Sequence, residues 1–262
     1  MPIVTPPMDS GIEYYDRPEL WGPGSGYEDS AELIRAQTIL EAVPVDAATI
    51  LDVGCGDGTV TNLLTERYET TGVDIAPAAL VHVRTTTVLG SADALPFGDE
   101  TFDVVVLAEV LEHLEPDVYG QSLAEAARVA RRAIIITVPN HENILAQSVR
   151  CPRCGTRFSP IRHMRSFTEN SVRTLFPDFS VDLLREFGPN AERIRSGEAL
   201  FRRLFTRHAP LPFPAVCPQC KLEGERKVCG LQGPSFAWGR RIPFASLLRP
   251  VQPRWILARF RK

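Results

Sequence analysis

The feature that most constrains the fold is the run Thr49-Ile50-Leu51-Asp52-Val53, which ends in the glycine turn Gly54-Cys55-Gly56-Asp57-Gly58 and passes into a helical stretch over residues 59–68. A short apolar run of this kind suits a strand buried on both faces. Closely spaced glycines after it let the backbone approach a ligand at the N-terminus of the next helix. The alternation continues along the chain. Strands are predicted at 70–74, within 81–89, at 102–107, 133–138 and 179–187, and finally at 255–260. Helices are predicted over 31–43, ended by Pro44, and over 121–130 and 168–176. Short strands alternating with helices predict a parallel sheet covered on both faces.

The glycine turn departs from the dinucleotide fingerprint G-x-G-x-x-G. Its third glycine is Gly58, and Thr59 stands where that pattern has its last glycine. Asp52, just before the turn, suits an ammonium group and would repel a pyrophosphate. With these residues the chain resembles the class I S-adenosylmethionine-dependent methyltransferases. Leu51-Asp52-Val53-Gly54-Cys55-Gly56-Asp57-Gly58 is similar to their first motif, Val73-Asp74-Ile75 to the acid after strand two, and Ser91-Ala92-Asp93-Ala94-Leu95-Pro96-Phe97 to the adenine-contacting segment. Phe102-Asp103-Val104-Val105-Val106 resembles their fourth strand, so the likeness covers about residues 45–140. It implies a Rossmann-like α/β sheet of seven strands, the last antiparallel, and S-adenosylmethionine as cofactor. By the same resemblance Asp52, Gly54 and Gly56 meet the amino-acid end, Asp74 and Ile75 the ribose, and Asp93 and Ala94 the adenine. Tyr14, Tyr15 and Trp21 precede the first long helix and either cover the cofactor, Tyr15 foremost, or pack as an ordinary segment.

Ala108-Glu109-Val110-Leu111-Glu112-His113-Leu114 follows the fourth strand, at the end where open α/β sheets bind ligands. In a helical turn Glu109, Glu112 and His113 would project to one side. Together with His163, in Arg162-His163-Met164-Arg165, the motif resembles O-methyltransferases of ubiquinone synthesis and enzymes that methylate the terminal 2′-hydroxyl of small RNAs. Three readings stay open. Glu109, Glu112, His113 and His163 hold Mg²⁺ or Mn²⁺; or His113 or His163 takes the acceptor's proton directly; or the cluster only shapes the pocket wall. The expected activity is O-methylation of a small-molecule or carbohydrate-like hydroxyl. RNA 2′-O-methylation is the alternative, and a non-catalytic zinc-ribbon interaction protein on the same fold is the rival of another class.

Cys151-Pro152-Arg153-Cys154 and Cys217-Pro218-Gln219-Cys220 look like two zinc knuckles, each turning two thiolates toward one ion. The 62 residues between the pairs exceed ordinary zinc-ribbon spacing. Both insertions nevertheless start at the ligand-binding end of the sheet, so one structural zinc held by all four is expected. A redox pair is the other reading, and Cys229 is a substitute ligand. Cys55 reads as a small packed residue. The expected organisation is a helical cap over residues 1–45 and a methyltransferase domain over 46–262, with zinc-binding insertions near 146–163 and 190–250.

Charge is unevenly spread. Residues 1–120 carry a net −18, residues 121–189 a net +4 and residues 190–262 a net +11. The opposed regions either attract within one fold or offer a basic surface to a phosphorylated or nucleic-acid ligand. Residues 199–205, Ala-Leu-Phe-Arg-Arg-Leu-Phe, read as a helix packed on the zinc module or touching an apolar surface. No interleaved basic and aromatic nucleic-acid module is visible. No apolar stretch is long enough to span a membrane. The first ten residues lack a basic region followed by an apolar one, so the cytoplasm is the expected location.

Overall fold

The computed structural model describes residues 12–22, 30–192, 210–225 and 251–262. The expected helix at 199–205 and Cys229 lie outside them. In chain order the elements are α1 (Ile12–Tyr15), a 3-10 turn (Pro18–Leu20), α2 (Ser30–Ala42), β1 (Thr49–Val53), α3 (Thr59–Leu64), β2 (Glu69–Asp74), α4 (Pro77–Leu80) and β3 (Thr86–Leu89). There follow β4 (Phe102–Ala108), α5 (Pro116–Val129), β5 (Ala130–Pro139), α6 (Ile144–Gln147), β6 (Val149–Arg150), β7 (Arg157–Phe158), α7 (Glu169–Val172), β8 (Ser180–Glu192) and β9 (Val251–Arg261).

Seven strands form one sheet in the order β3-β2-β1-β4-β5-β9-β8. β1 pairs parallel with β2 and β4, β2 with β3, and β4 with β5. β9 runs antiparallel to β5, from Ala133 opposite Arg261 to Pro139 opposite Trp255. This is the seven-stranded methyltransferase topology that the sequence leads one to expect. The period-two alternation sends side chains to both faces. On β5, Ile134, Ile136 and Val138 join α5, Phe167, Val172 and Phe176 on one face, while Ile135 joins Ile39, Leu40, Val60 and Leu64 on the other. On β9, Ile256, Ala258 and Phe260 take the first face and Leu257 the second. Both faces are therefore dry, which is why these strands read as nearly continuous apolar runs.

Several boundaries move. α5 starts at Pro116 rather than residue 121, because proline is pre-organised for the first helical position. α7 is a single turn with a Thr168–Ser171 capping box. It ends at Val172, short of the expected 176, where Pro177 would in any case disfavour helical backbone. Residues 108–114 form no helix, for a reason that lies in Glu109.

The chain divides into two compact units. The described residues of one are 12–22, 30–140, 167–189 and 253–262, which hold the sheet. The described residues of the other are 141–166, 190–192, 210–225 and 251–252, with a two-stranded antiparallel ribbon of β6 and β7 and a small core of Cys151, Phe158, Leu211, Ala215 and Cys217.

Candidate active site and cysteine cluster

The glycine turn is anchored to β2. The N–H groups of Gly54 and Cys55 both donate to the Val73 carbonyl, at 2.7 and 3.0 Å. Gly54 has φ +70°, and a Cβ there would lie 2.5 Å from Val110 Cγ2, so only glycine fits. Gly56 N–H donates to Asp74 Oδ2 at 2.8 Å, while Asp74 Oδ1 accepts from Ala76 N–H at 2.9 Å. Asp74 thus stands at the C-terminal end of β2 against the turn, and burial raises its carboxyl above the ordinary range. Ile75 beside it is half-buried.

Asp52 is 1% exposed. Its Oδ2 accepts from the Thr61 hydroxyl at 2.6 Å, whereas Oδ1 is buried with no hydrogen-bond partner among the described residues. Burial pushes this carboxyl up to about 7, against the opposing pull of Thr61 and Arg35. A buried acceptor normally has a partner. An orphaned carboxylate oxygen beside a glycine turn fits the ammonium of an amino-acid ligand, so these residues suit S-adenosylmethionine. Cys55 is also buried, and burial with the neighbouring carboxylates Asp52 and Asp74 raises its thiol far above the ordinary value. It is a packed residue, with no thiolate for chemistry.

The adenine-type segment has Ala92 buried, Asp93 half-buried and bonded to the Ser91 hydroxyl, and Ala94 exposed. Its far end is held by α5. Arg128 donates to the Leu95 and Phe97 carbonyls at 3.1 and 2.8 Å and forks onto both oxygens of Glu125 at 2.7 Å. Glu125 Oε2 in turn accepts from Leu95 N–H at 2.9 Å. The Glu-x-x-Arg spacing of this clamp is visible in the sequence, but nothing there says which loop it grips.

The N-terminal segment crosses the glycine turn. The Trp21 ring lies 3.1 Å from where a Cβ on Gly56 would stand, and its indole N–H donates to the Tyr15 carbonyl at 2.6 Å. Asp57 Oδ2 accepts from Gly22 N–H at 3.2 Å, and Asp16 Oδ1 accepts from Ala78 N–H at 2.9 Å. The Tyr15 ring stands edge-on to His113, with centroids 5.9 Å apart.

After β4 the chain leaves the strand abruptly. Glu109 has φ +58°, which no helix accommodates, and the expected helical turn with three side chains on one side does not form. Instead, Glu109 Oε2 accepts the Trp255 indole N–H at 2.8 Å. Trp255 is 1% exposed and packs between Phe187 and the Arg254 guanidinium. Glu112 is fully buried and His113 half-buried in the turn that follows. Asn140, after β5, donates through Nδ2 to the Pro253 carbonyl at 3.1 Å, so the Pro-Asn step ties β5 to β9.

The second unit holds His163 and the cysteines. His163 Nδ1 is hydrogen-bonded to Glu142, a partner that the sequence reading missed because the two lie 21 residues apart. Cys151, Cys154, Cys217 and Cys220 have their sulfurs all within 4.8 Å of one another, with Cys151–Cys220 and Cys154–Cys217 at 3.5 Å. A disulfide needs about 2.05 Å, whereas a tetrahedron of bonds near 2.3 Å has sulfur–sulfur edges of about 3.8 Å. The two knuckles share one geometry. Gly155 and Lys221 each donate N–H to the first cysteine's carbonyl at 2.9 Å, with φ of +78° and +55°. The Thr156 hydroxyl beside Cys154 lowers that thiol to about 6, and burial pushes Cys217 up to about 12.

Comparison with known proteins places this geometry. Residues 51–136 match the family model of a methyltransferase domain. A methyltransferase of Mycobacterium tuberculosis is 33% identical over 95 residues, 34% of this chain and 38% of that protein. Malonyl-[acyl-carrier protein] O-methyltransferase of Herminiimonas arsenicoxydans is 31% identical over 120 residues, 44% of this chain and 45% of that one. The chain thus spans less than half the length of these curated relatives. Among solved structures, a chain of the complex between the Haloferax volcanii Trm112 methyltransferase activator and a methyltransferase superimposes with a TM-score of 0.54 at 17% identity, over 90% of this chain and 92% of that one. An Archaeoglobus fulgidus S-adenosylmethionine-dependent methyltransferase gives 0.53 at 17% identity, over 90% and 96%. The fold is thus that of the methyltransferases on which the chain superimposes, and residues 51–136 within it match a methyltransferase domain.

Among the described residues, no helix is long and apolar enough to cross a membrane.

Proposed function

We propose that the protein transfers the methyl group of S-adenosylmethionine to an oxygen of a small-molecule or carbohydrate-like hydroxylated acceptor. The observation that carries the cofactor in this reading is Asp52, whose buried Oδ1 has no partner among the described residues beside the turn that Gly56 and Asp74 close. Asp52, Gly54 and Gly56 would hold the amino-acid end of the cofactor, Asp74 and Ile75 the ribose, and Asp93 and Ala94 the adenine. Tyr15 and Trp21 would close over them. The sulfonium supplies an already activated methyl group, so the chain's own residues mainly orient the acceptor and take its proton.

His113 or His163 is the proton acceptor. What supports this version over a divalent ion held by all four residues is Glu109, whose Oε2 is taken up by the Trp255 indole N–H. The four cysteines hold one structural zinc, a role that fits their spacing and the small core around them.

The test is transfer of labelled methyl from S-adenosylmethionine to a panel of phenols, sugars and RNA 3′ ends. Product with a phenol or sugar, insensitive to a mild chelator and lost in His113→Ala or His163→Ala, is the expected result. Methylation confined to RNA supports the 2′-hydroxyl alternative. Loss on chelation, restored by Mg²⁺ or Mn²⁺, supports a metal ligated from the Glu112–His113 turn. Full activity in both histidine variants removes them from the mechanism.

A further inference from the structure

Glu142 and His163 form a half-buried pair within the second unit. Glu142 Oε2 is hydrogen-bonded to His163 Nδ1, and the two side chains are 9% and 10% exposed. The backbone around both is pinned. His163 N–H donates to Ser159 Oγ at 3.1 Å, and Asn143, next to Glu142, caps α6 by accepting from Ala146 N–H at 3.0 Å. Each partner also follows a non-glycine residue in left-handed backbone, His141 with φ +49° and Arg162 with φ +59°.

These features oppose stability one by one. Removing a carboxylate and an imidazole from water is unfavourable, and apolar residues of similar volume generally pack at least as well. Left-handed backbone at His and Arg is strained, and such strain gathers where a side chain must be aimed. Two strained residues that aim two side chains at each other mark a pairing kept for orientation.

We infer that Glu142 is the positioning residue of His163, fixing the imidazole tautomer that carries its hydrogen on Nδ1 and its lone pair on Nε2. A carboxylate only accepts hydrogen bonds, so the ring nitrogen facing it must donate. The neutral ring then presents Nε2 as the basic atom, the form required to take a proton from an acceptor hydroxyl or to ligate a metal ion. The functional meaning of this arrangement rests on the role proposed for His163; the tautomer does not.

The tautomer is read directly from long-range ¹H–¹⁵N correlations of the full-length protein at about pH 9, above the ordinary imidazole pKa of about 6.5. The His163 signals are assigned by their loss in His163→Gln. The wild type should show an Nδ1-protonated, Nε2-bare ring. Glu142→Ala should lose that pattern and turn to the Nε2-protonated form, with far-ultraviolet circular dichroism confirming the fold. If the alanine variant does not fold, Glu142→Leu, which keeps most of the volume and removes the acceptor, should depopulate the Nδ1-protonated form in the same way. An Nε2-protonated ring in the wild type, or an unchanged ring in the folded variant, overturns the inference. Should the tautomer behave as expected while His163→Gln retains full methyl transfer, the pairing stands and the proposed role of His163 fails.

Discussion

Replacing Arg128 by alanine tests how α5 shapes the cofactor site. The guanidinium makes five hydrogen bonds, two to Glu125, one to Asp99 and one each to the Leu95 and Phe97 carbonyls. The Asp99 bond is exposed and contributes little. The two carbonyl bonds and the Glu125 fork are charge-assisted, each worth about 1–3 kcal/mol and not additive. Their loss also leaves Glu125, 8% exposed, without its counter-charge. We expect a destabilisation of about 2–4 kcal/mol, or a fall in Tm of about 5–12 °C for a chain of this size. Affinity for S-adenosylmethionine should fall with it, because residues 91–97 lose their anchor. The effect has a pH signature. The Arg128 hydrogen bonds hold the Glu125 carboxyl below its ordinary 4.5, partly offset by burial. A depressed acid stabilises the fold above its unfolded pKa and loses that contribution as pH falls through its folded value. The Tm gap between wild type and Arg128→Ala, measured by calorimetry, should therefore be full at pH 7 and narrow below about pH 4.5. A gap that stays constant across that range, or a Tm change under about 2 °C, would refute the reasoning.

Asp52 gives the opposite sign. Its folded value near 7 lies above the ordinary 3.8, so the folded chain without cofactor holds a proton there that the unfolded chain releases, and its stability falls as pH rises from about 4 to 7. An ammonium ligand needs the ionised form. Calorimetry in buffers of different ionisation enthalpy should show a proton released on S-adenosylmethionine binding near pH 6, with affinity rising toward pH 7; no proton release would remove Asp52 from the ammonium site. Elemental analysis should find one zinc per chain, and Cys217→Ser should lose the metal and lower Tm; zinc-free protein of unchanged stability contradicts the shared site.

The parts legible in the sequence were those with a local signal. Ile134-Ile135-Ile136 announced a strand dry on both faces, and the Gly54–Gly58 turn with Asp52 and Asp74 announced a ligand site, because strand register and turn chemistry are short-range. The two CxxC turns were legible for the same reason. That their sulfurs approach to 3.5 Å across 63 and 69 residues required the fold. Glu109 shows where local reasoning fails. Its spacing from Glu112 and His113 suits one helical face, yet the Trp255 indole, 146 residues away, holds its carboxylate. Glu142 and Arg128 escaped attention because a lone acid and a lone base carry no signal until a distant loop packs against them.

The central claim, that the Gly54–Gly58 turn with Asp74 binds S-adenosylmethionine, is tested most directly by calorimetric titration of that cofactor into the wild type and Asp74→Ala. The alanine variant removes the acceptor proposed for two ribose hydroxyls, each bond worth about 0.5–1.5 kcal/mol. Saturable binding by the wild type with one cofactor per chain, weakened about 5–150-fold in the variant, is the predicted result. A wild type that takes up no cofactor, or a variant that binds it with unchanged affinity, contradicts the account.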